Sequence, residues 1–274
     1  MEQLAVVIGV GGLGTALARG LMRGRRLLLA DVDGERAAAV SRDLGGPVEP
    51  VQCDVTSPTS VKALAESVAQ RGKLDVLVHV AGLSPAAGDF DSIVRVNMVG
   101  PALVTDTLLP LANSGASAVM ISSLAANLGR IPAAAIPVLR DYAAAHELPA
   151  RLRSVLDPGS DDANSAYRLS KYGLLMLVRR SAKLWGRRNA RIVSLSPGLI
   201  ATPMGARETA TNPAKRKLVK AWPLGREGKV QEIVDVVEFL VSDRASFISG
   251  TDILVDGGLA GSICDVPFGW PEPH

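Results

Sequence analysis

The sequence predicts an α/β fold, a doubly wound parallel sheet with helices on both faces. Three observations predict it. Short apolar runs alternate with longer amphipathic stretches along the chain. The runs are continuously apolar, as in strands covered on both faces. Gly is frequent and aromatics make up only 4% of residues, which suits helices packed tightly onto such a sheet. Because crossovers between parallel strands are right-handed, the alternation favours double winding.

The elements follow in order. Leu4 to Ile8 reads as a buried strand, and residues near 12–24 as a helix. Leu27 to Ala30 is a second strand, followed by a helix near 34–44. Val48 to Cys53 is a third strand, with a helix near 58–71. Leu74 to Val78 is a fourth strand, followed by one long helix near 90–112. Ser117 to Ile121 is a fifth strand. A helix near 163–186, a strand from Ala190 to Leu195, a helix near 229–242 and a strand from Asp252 to Val255 complete the pattern. No Pro/Gly/Ser-rich linker divides the 274 residues and no repeat is apparent, so a single domain over 1–274 is expected.

Composition excludes several classes of function. No apolar stretch approaches the roughly 20 residues of a membrane span, so no membrane partner is expected. Met1 to Leu4 runs directly into a strand-like segment, without the basic and apolar regions of a signal peptide. Cys53 and Cys264 are too few for a disulfide framework, and no Cys/His spacing suits a metal. The expectation is a soluble, cytoplasmic protein with no metal. The net charge is +3, with basic clusters at Arg187, Arg188 and Arg191 and at Lys215, Arg216, Lys217 and Lys220. These lie beside helix ends with acids between them and no aromatic-rich motif, so no nucleic-acid partner is expected.

Gly9-Val10-Gly11-Gly12-Leu13-Gly14 carries Gly at 9, 11 and 14, after a strand and at the opening of a helix. In that context G-x-G-x-x-G allows a tight turn, close approach of a pyrophosphate and close helix–strand packing. The helix N-terminus adds unpaired N–H groups and a dipole favourable to phosphate. Asp31 closes the second strand, 20 residues after Gly11. A carboxylate there accepts hydrogen bonds from the ribose hydroxyls of NAD and repels the 2′-phosphate of NADP. No Arg follows Asp31 immediately, so NAD is the expected cofactor.

Tyr167 and Lys171, in Ser165-Ala166-Tyr167-Arg168-Leu169-Ser170-Lys171, are four residues apart and share a helix face. A nearby ammonium lowers a phenol's pKa, which would let Tyr167 exchange protons near neutrality.

With these motifs in view, the chain resembles the short-chain dehydrogenase/reductase family over nearly its whole length. Asp54-Val55 is similar to the family's pair that holds the adenine ring, and Val80-Ala81-Gly82 to the end of its N-N-A-G segment. Asn97 matches the Asn of its catalytic tetrad, and Ser122-Ser123 ends the fifth strand where the family places its Ser. Pro197-Gly198-Leu199-Ile200-Ala201-Thr202-Pro203 resembles its loop for the nicotinamide carboxamide, and Val255-Asp256-Gly257-Gly258 its last strand and turn.

The resemblance implies a Rossmann domain and a catalytic set of Asn97, Ser123, Tyr167 and Lys171. Tyr167 would exchange a proton with the substrate oxygen. Lys171 would support the phenolate and bond the nicotinamide ribose. Ser123 would polarise the substrate oxygen, and Asn97 would anchor a water that relays protons to Lys171. The register leaves Ser122 open; Ser123 is preferred because it precedes Leu124-Ala125. The implied cofactor residues are Gly9, Gly11, Leu13, Gly14, Asp31, Asp54, Val55, Ala81, Gly82, Tyr167, Lys171, Pro197, Gly198, Ile200 and Thr202.

Three departures from the family stand out. The Gly turn is one residue shorter than the usual form. His79-Val80 replaces two Asn, and His79 is read as a packed strand residue. Ser123 and Tyr167 lie 44 residues apart, well beyond the usual spacing. The surplus, about 130–164, carries Ile136, Leu139 and Ala143, then Leu148, Leu152 and Leu156, at helical spacing, with Pro residues between. It predicts two short amphipathic helices forming a flap beside the substrate pocket, or an outer elaboration affecting subunit contacts. Such an insertion most resembles bacterial 3α-hydroxysteroid dehydrogenase/carbonyl reductases. Residues 203–225, with Met204, Leu218, Val219, Trp222 and Leu224, resemble an apolar substrate loop.

The implied activity is interconversion of a hydrophobic secondary alcohol and a ketone by a homodimer or homotetramer. A non-catalytic dinucleotide-binding protein and an enoyl reductase are the alternatives.

Overall fold

Burial along the first strand sets the architecture. In β1 (Gln3–Ile8), Leu4, Val6 and Ile8 enter one hydrophobic core, while Ala5 and Val7 enter another on the opposite face. A strand buried on both sides needs helices on both sides. The computed structural model describes residues 3–201 and 222–263 and supplies them.

The chain continues with α1 (Gly12–Leu21), β2 (Arg25–Asp31), α2 (Gly34–Leu44), β3 (Val48–Gln52), α3 (Pro58–Arg71) and β4 (Leu74–His79). Further on come α4 (Phe90–Val94), a π turn (Arg95–Val99), α5 (Gly100–Leu108) and β5 (Ala112–Ile121). Next are α6 (Ala135–Asp141), α7 (Leu148–Arg153), α8 (Ala163–Gly186) and β6 (Arg191–Pro197). The two-residue strands β7 (Ile200–Ala201) and β8 (Gly228–Lys229) precede α9 (Val230–Leu240), β9 (Asp252–Val255) and α10 (Leu259–Ile263).

The main sheet has seven parallel strands in the order β3-β2-β1-β4-β5-β6-β9. This is the doubly wound Rossmann arrangement in one domain. One face buries α3, α4, α5 and α8, with Leu64, Ile93, Met98 and Leu177 at its centre. The other buries α1, α2 and α9 through Leu17, Leu21, Ala37 and Val237. The winding reverses between β1 and β4, where their carboxyl ends leave a crevice.

Two elements differ from the sequence expectation. The strand expected from Ser117 begins at Ala112, with a register shift between Leu74 and Val76. The single helix expected near 90–112 is interrupted by the π turn. Pro101 explains it: proline has no N–H for the Asn97 carbonyl four residues back, and its ring crowds that oxygen. The Gly100 N–H reaches instead to Arg95, five residues back.

The basic cluster near 187–191 is partly structural. Arg191 donates to the carbonyls of Leu240, Ile248 and Ser242 and to Ser117 Oγ, and Arg188 to the Pro110 carbonyl at 2.7 Å. The cluster from Lys215 to Lys220 lies outside the described residues. No described helix is long and apolar enough to cross a membrane. Among the described residues no group of three or more His, Cys, Asp or Glu could hold a metal ion.

Candidate active site

A cavity of about 750 Å³ opens at the crevice between β1 and β4. At its mouth the three motif glycines have distinct tasks. Gly9 adopts φ +90°, and a Cβ there would stand 2.5 Å from the Ala81 nitrogen. A Cβ on Gly14 would stand 1.8 Å from the Gly9 carbonyl oxygen, so α1 approaches β1 only without one. Gly11 is different: nothing lies within 4 Å of its Cβ position, nor of that of Gly12. The bare backbone there faces the cavity together with Leu13. No side chain caps α1 at Gly11, leaving its first-turn N–H groups without side-chain partners. An open, uncapped helix start of this kind fits a pyrophosphate.

Asp31 ends β2 beside this opening and is 6% exposed. Oδ2 accepts the Val10 N–H at 2.8 Å and Oδ1 the Asp33 N–H at 3.0 Å. The carboxylate is thus aimed by backbone groups and keeps further lone pairs for ribose hydroxyls. Asp54 lines the same end and is held by Thr56, whose N–H and hydroxyl donate to Oδ1 at 2.9 and 2.7 Å. Val55 packs against Gly100, where a Cβ would stand 2.6 Å from Val55 Cγ2. Val32 and Arg36 are among the lining residues that the sequence reading missed. Val32 is 62% exposed although apolar, and Arg36 reaches the cavity from the first turn of α2. An apolar residue between Asp31 and Asp33 was the available signal for Val32; only the fold brings Arg36 to Asp31.

The other end of the cavity is built on α8. Asp162 caps this helix by accepting the Ser165 N–H at 2.7 Å. One turn in, Tyr167 and Lys171 both line the cavity. Lys171 is buried, and its Nζ donates to the Ile121 carbonyl at 3.0 Å and lies 5.8 Å from the Tyr167 ring centroid. Burial lowers Lys171 to a pKa of about 8.

Burial also pushes the Tyr167 phenol above its ordinary value, and a hydrogen bond with Ser123 offsets part of that. Lys171, expected to lower it, is not what opposes burial here. Desolvation dominates, and the opposing pull comes from Ser123.

The two serines take different work. The Ser122 hydroxyl donates to the Lys171 backbone carbonyl at 3.1 Å and ties α8 to the end of β5. Ser123 pairs with Tyr167 and accepts the Ala125 N–H at 3.2 Å. Asn97 is fully buried in the π turn. Its Oδ1 accepts the Leu83 N–H at 2.7 Å, and its Nδ2 donates to the Leu83 carbonyl at 2.9 Å. Both amide atoms therefore clamp the chain just after Ala81-Gly82, which lines the cavity. A Cβ on Gly82 would stand 3.1 Å from Asn97 Oδ1 and 3.4 Å from Lys171 Nζ. His79, at the end of β4, is 2% exposed, and its Nε2 has no hydrogen-bond partner. Burial first, and the Lys171 charge second, lower its pKa to about 3, so it is neutral at working pH.

Pro197 and Gly198 line the cavity, and Gly198 passes so close to the Asp256 turn that a Cβ would stand 2.8 Å from Asp256 Cα. Ile200 does not line it. β7 pairs with β8, and the Ile200 side chain fills the space above Gly228. Thr202, Met204, Leu218 and Val219 lie outside the described residues. Of the expected substrate loop, Trp222 is buried against Leu124 and Leu259, and Leu224 is exposed.

The insertion forms the two expected short helices, α6 and α7. None of its residues lines the cavity. Ala135, Leu139, Leu148 and Leu152 instead join the core on the α8 side of the sheet. Arg153 fastens α7 to α4 through Asp91 at 2.6 Å and the Phe90 ring at 4.8 Å. The apolar face of the insertion is thus satisfied by α4 and α8.

Comparison with known proteins agrees with this fold. Residues 9–140 and 155–260 match a family described as enoyl-(acyl carrier protein) reductase, and the break between them falls in the insertion. A short-chain dehydrogenase/reductase of Alternaria brassicicola is 35% identical over 270 residues, 94% of this chain and 95% of that protein. The 3-alpha-hydroxysteroid dehydrogenase/carbonyl reductase of Comamonas testosteroni is 32% identical over 205 residues, 72% of this chain and 77% of that one. Among solved structures, a glucose/ribitol-type short-chain dehydrogenase/reductase from Brucella melitensis superposes with a TM-score of 0.74 at 26% identity, covering 94% and 96% of the two chains. The chain belongs to the short-chain dehydrogenase/reductase family of nicotinamide-dinucleotide oxidoreductases.

Proposed function

We propose that this chain is an NAD(H)-dependent oxidoreductase that interconverts a secondary alcohol and a ketone on a hydrophobic substrate, steroid-like compounds included. One observation carries the reading: a single cavity holds Asp31 at one end and Ser123, Tyr167 and Lys171 at the other. The open backbone at Gly11 and Gly12 would hold the pyrophosphate, and Asp31 the adenosine ribose. Asp54, Val55 and Val32 would border the adenine. Ala81, Gly82, Pro197 and Gly198 would wall the nicotinamide end. Bound nicotinamide supplies or accepts the hydride.

The chain's own residues manage the proton. In reduction, Tyr167 donates its phenolic proton to the carbonyl oxygen as charge develops there. Ser123, already in contact with the phenol, donates to the same oxygen and polarises it. Lys171 returns a proton toward Tyr167 and balances the phenolate. Asn97 is a positioning residue: by clamping Leu83 it fixes the Gly82 turn beside Lys171. Oxidation runs the same steps backward. The Ser123–Tyr167 contact favours carbonyl chemistry over C=C reduction, because it concentrates donors on one oxygen.

The test is NADH absorbance against a panel of hydrophobic ketones and alcohols, with NADPH alongside. The reading expects turnover with at least one carbonyl compound and a higher kcat/KM with NADH. Dinucleotide binding without turnover across the panel, Tyr167 intact, would favour a non-catalytic binder.

A further inference from the structure

The insertion creates a second concavity, away from the crevice. A groove of about 450 Å³ lies between α6 and α8 and shares no lining residue with the dinucleotide cavity. That volume falls within the roughly 300–1,000 Å³ of small-molecule sites. Tyr172, Met176 and Arg179 of α8 stand at four- and three-residue steps, so they line up on one helix face. Tyr172 is turned about 100° around the helix from Lys171, out of the cavity. Leu139 and Arg140 of α6 supply the facing wall. Only the insertion provides that wall, and the match to the family breaks directly after Arg140.

The floor of the groove is apolar and its rim is cationic. Leu139 and Leu177 belong to the buried core, and Tyr172 and Met176 are half-buried against it. A methionine thioether adapts to irregular apolar shapes. Arg140, Arg179 and Arg180 line the rim, and no acid lines the groove. Arg180 donates to the Arg140 carbonyl, which ties the rim of α8 to α6. Asp141 pairs with Arg140 at 2.7 Å, and Asp106 of α5 is the other carboxylate that feels Arg180. Arg179 makes no hydrogen bond or ion pair among the described residues. Three guanidinia against two carboxylates leave one positive charge uncompensated.

An apolar floor with one spare cation suits a chain that ends in a single negative charge. The forked donors of a guanidinium match a carboxylate. A dianionic phosphate would overcompensate the charge. A second copy of the chain fits less well, because a two-fold contact repeats the same patch on both sides and would set these arginines against their own copies.

We propose that this groove binds a long-chain carboxylate, a fatty acid, with its chain along Leu139, Tyr172 and Met176 and its head on Arg179. The site is independent of the dinucleotide reading. Occupancy braces α6 against α8, the helix that carries Tyr167 and Lys171.

The experiment is calorimetric titration of the full chain with decanoate below its micelle concentration, with decanol and acetate beside it. Wild type, Arg179→Ala, Arg179→Lys and Met176→Glu are compared, and NADH binding is measured on the same samples. Decanoate should bind wild type at one site per chain, decanol about tenfold more weakly, and acetate not detectably. Arg179→Ala should weaken decanoate by about tenfold, as for loss of one charge-assisted contact, and leave decanol unchanged. Arg179→Lys should fall between, Met176→Glu should abolish decanoate binding, and NADH binding should be the same throughout. Absence of decanoate binding to wild type would overturn the proposal. Undiminished binding in Arg179→Ala and Met176→Glu would also overturn it, placing the fatty acid elsewhere on the chain. Equal affinity for decanoate and decanol would overturn the role of the charge. Sedimentation tests the other occupant: a larger assembly in wild type than in Met176→Glu, without a decanoate site, would overturn the proposal and give the groove to a second copy. If Met176→Glu does not fold, the Arg179 comparison decides alone, because Arg179 is exposed.

Discussion

Lys171 is held under two opposed influences. It is buried, which disfavours the ammonium, yet it spends a hydrogen bond on the Ile121 carbonyl, which uses it as a donor. With burial lowering its pKa to about 8, the proton leaves within the working range of an enzyme. The sign follows from the proposed chemistry. Carbonyl reduction needs Lys171 protonated to resupply Tyr167, so its rate should fall as pH rises through about 8. Alcohol oxidation should rise over the same window. Initial rates in both directions from pH 6 to 10 check this, and parallel profiles would contradict it. His79 makes a different prediction. The unfolded chain protonates it near its ordinary pKa of 6.5, whereas the fold resists down to about 3. The unfolded state thus binds more protons between those values, and stability is lost as pH falls below 6.5. The loss between pH 7.5 and 5.5 should be about 1 kcal/mol from this residue. Denaturant unfolding of wild type and His79→Asn should show a smaller acid loss in the variant. At this scale the sequence was legible where one residue type answers one demand: Gly9 for positive φ, Gly14 for contact, Asp31 at a strand end. The choice between Ser122 and Ser123 was not, because adjacent residues on an extended chain face opposite ways and only the packed α8 tells which meets Tyr167.

Elements were legible where the apolar period is clean. The strands and α8 follow it closely, and the two insertion helices appear where Leu139 and Leu152 predicted them. What those helices pack against was not legible, because amphipathicity shows that a face is buried but not what covers it. The expectation of a substrate flap turned on that point. Leu139 is fully buried, and a Cβ on Gly173 of α8 would stand 3.0 Å from its Cδ2. Leu139→Ala should therefore cost about 3 kcal/mol of stability, as for a core cavity. The ratio of kcat/KM for bulky over small ketones should stay near the wild-type value. Calorimetry and a two-substrate assay check both, and a selective loss on bulky ketones would restore the flap. The π turn was also missed, since the apolar period runs through 90–112 unbroken. Pro101 was the sign: within a helix it must disturb the turn before it, which is where Asn97 stands.

Across the whole molecule, double winding brings distant segments to one crevice. Gly9 and Asp31 come from the first quarter of the chain, Ser123 and Lys171 from its middle, and Pro197 from the strand after α8. The order β3-β2-β1-β4-β5-β6-β9 forces this meeting, because the carboxyl ends of β1 and β4 part where the winding reverses. Dinucleotide binding across that crevice should stabilise the entire fold. At a hundred times its dissociation constant, NADH should add about 2.7 kcal/mol, visible as a rise in Tm. A Gly14→Ala variant, whose Cβ would stand 1.8 Å from the Gly9 oxygen, should lose that protection through displacement of α1.

The central claim is that the phenol of Tyr167 carries the proton while the rest of the cavity carries the dinucleotide. Tyr167→Phe separates the two, since it removes the oxygen and keeps the ring in its packing. The most direct measurement is turnover of the best ketone by Tyr167→Phe under saturating NADH, with NADH binding measured on the same sample. The predicted result is unchanged fluorescence titration with NADH and a kcat lower by about a hundredfold or more, the usual scale of a lost general acid. Residual activity above about a tenth of wild type, with NADH still bound, would contradict it.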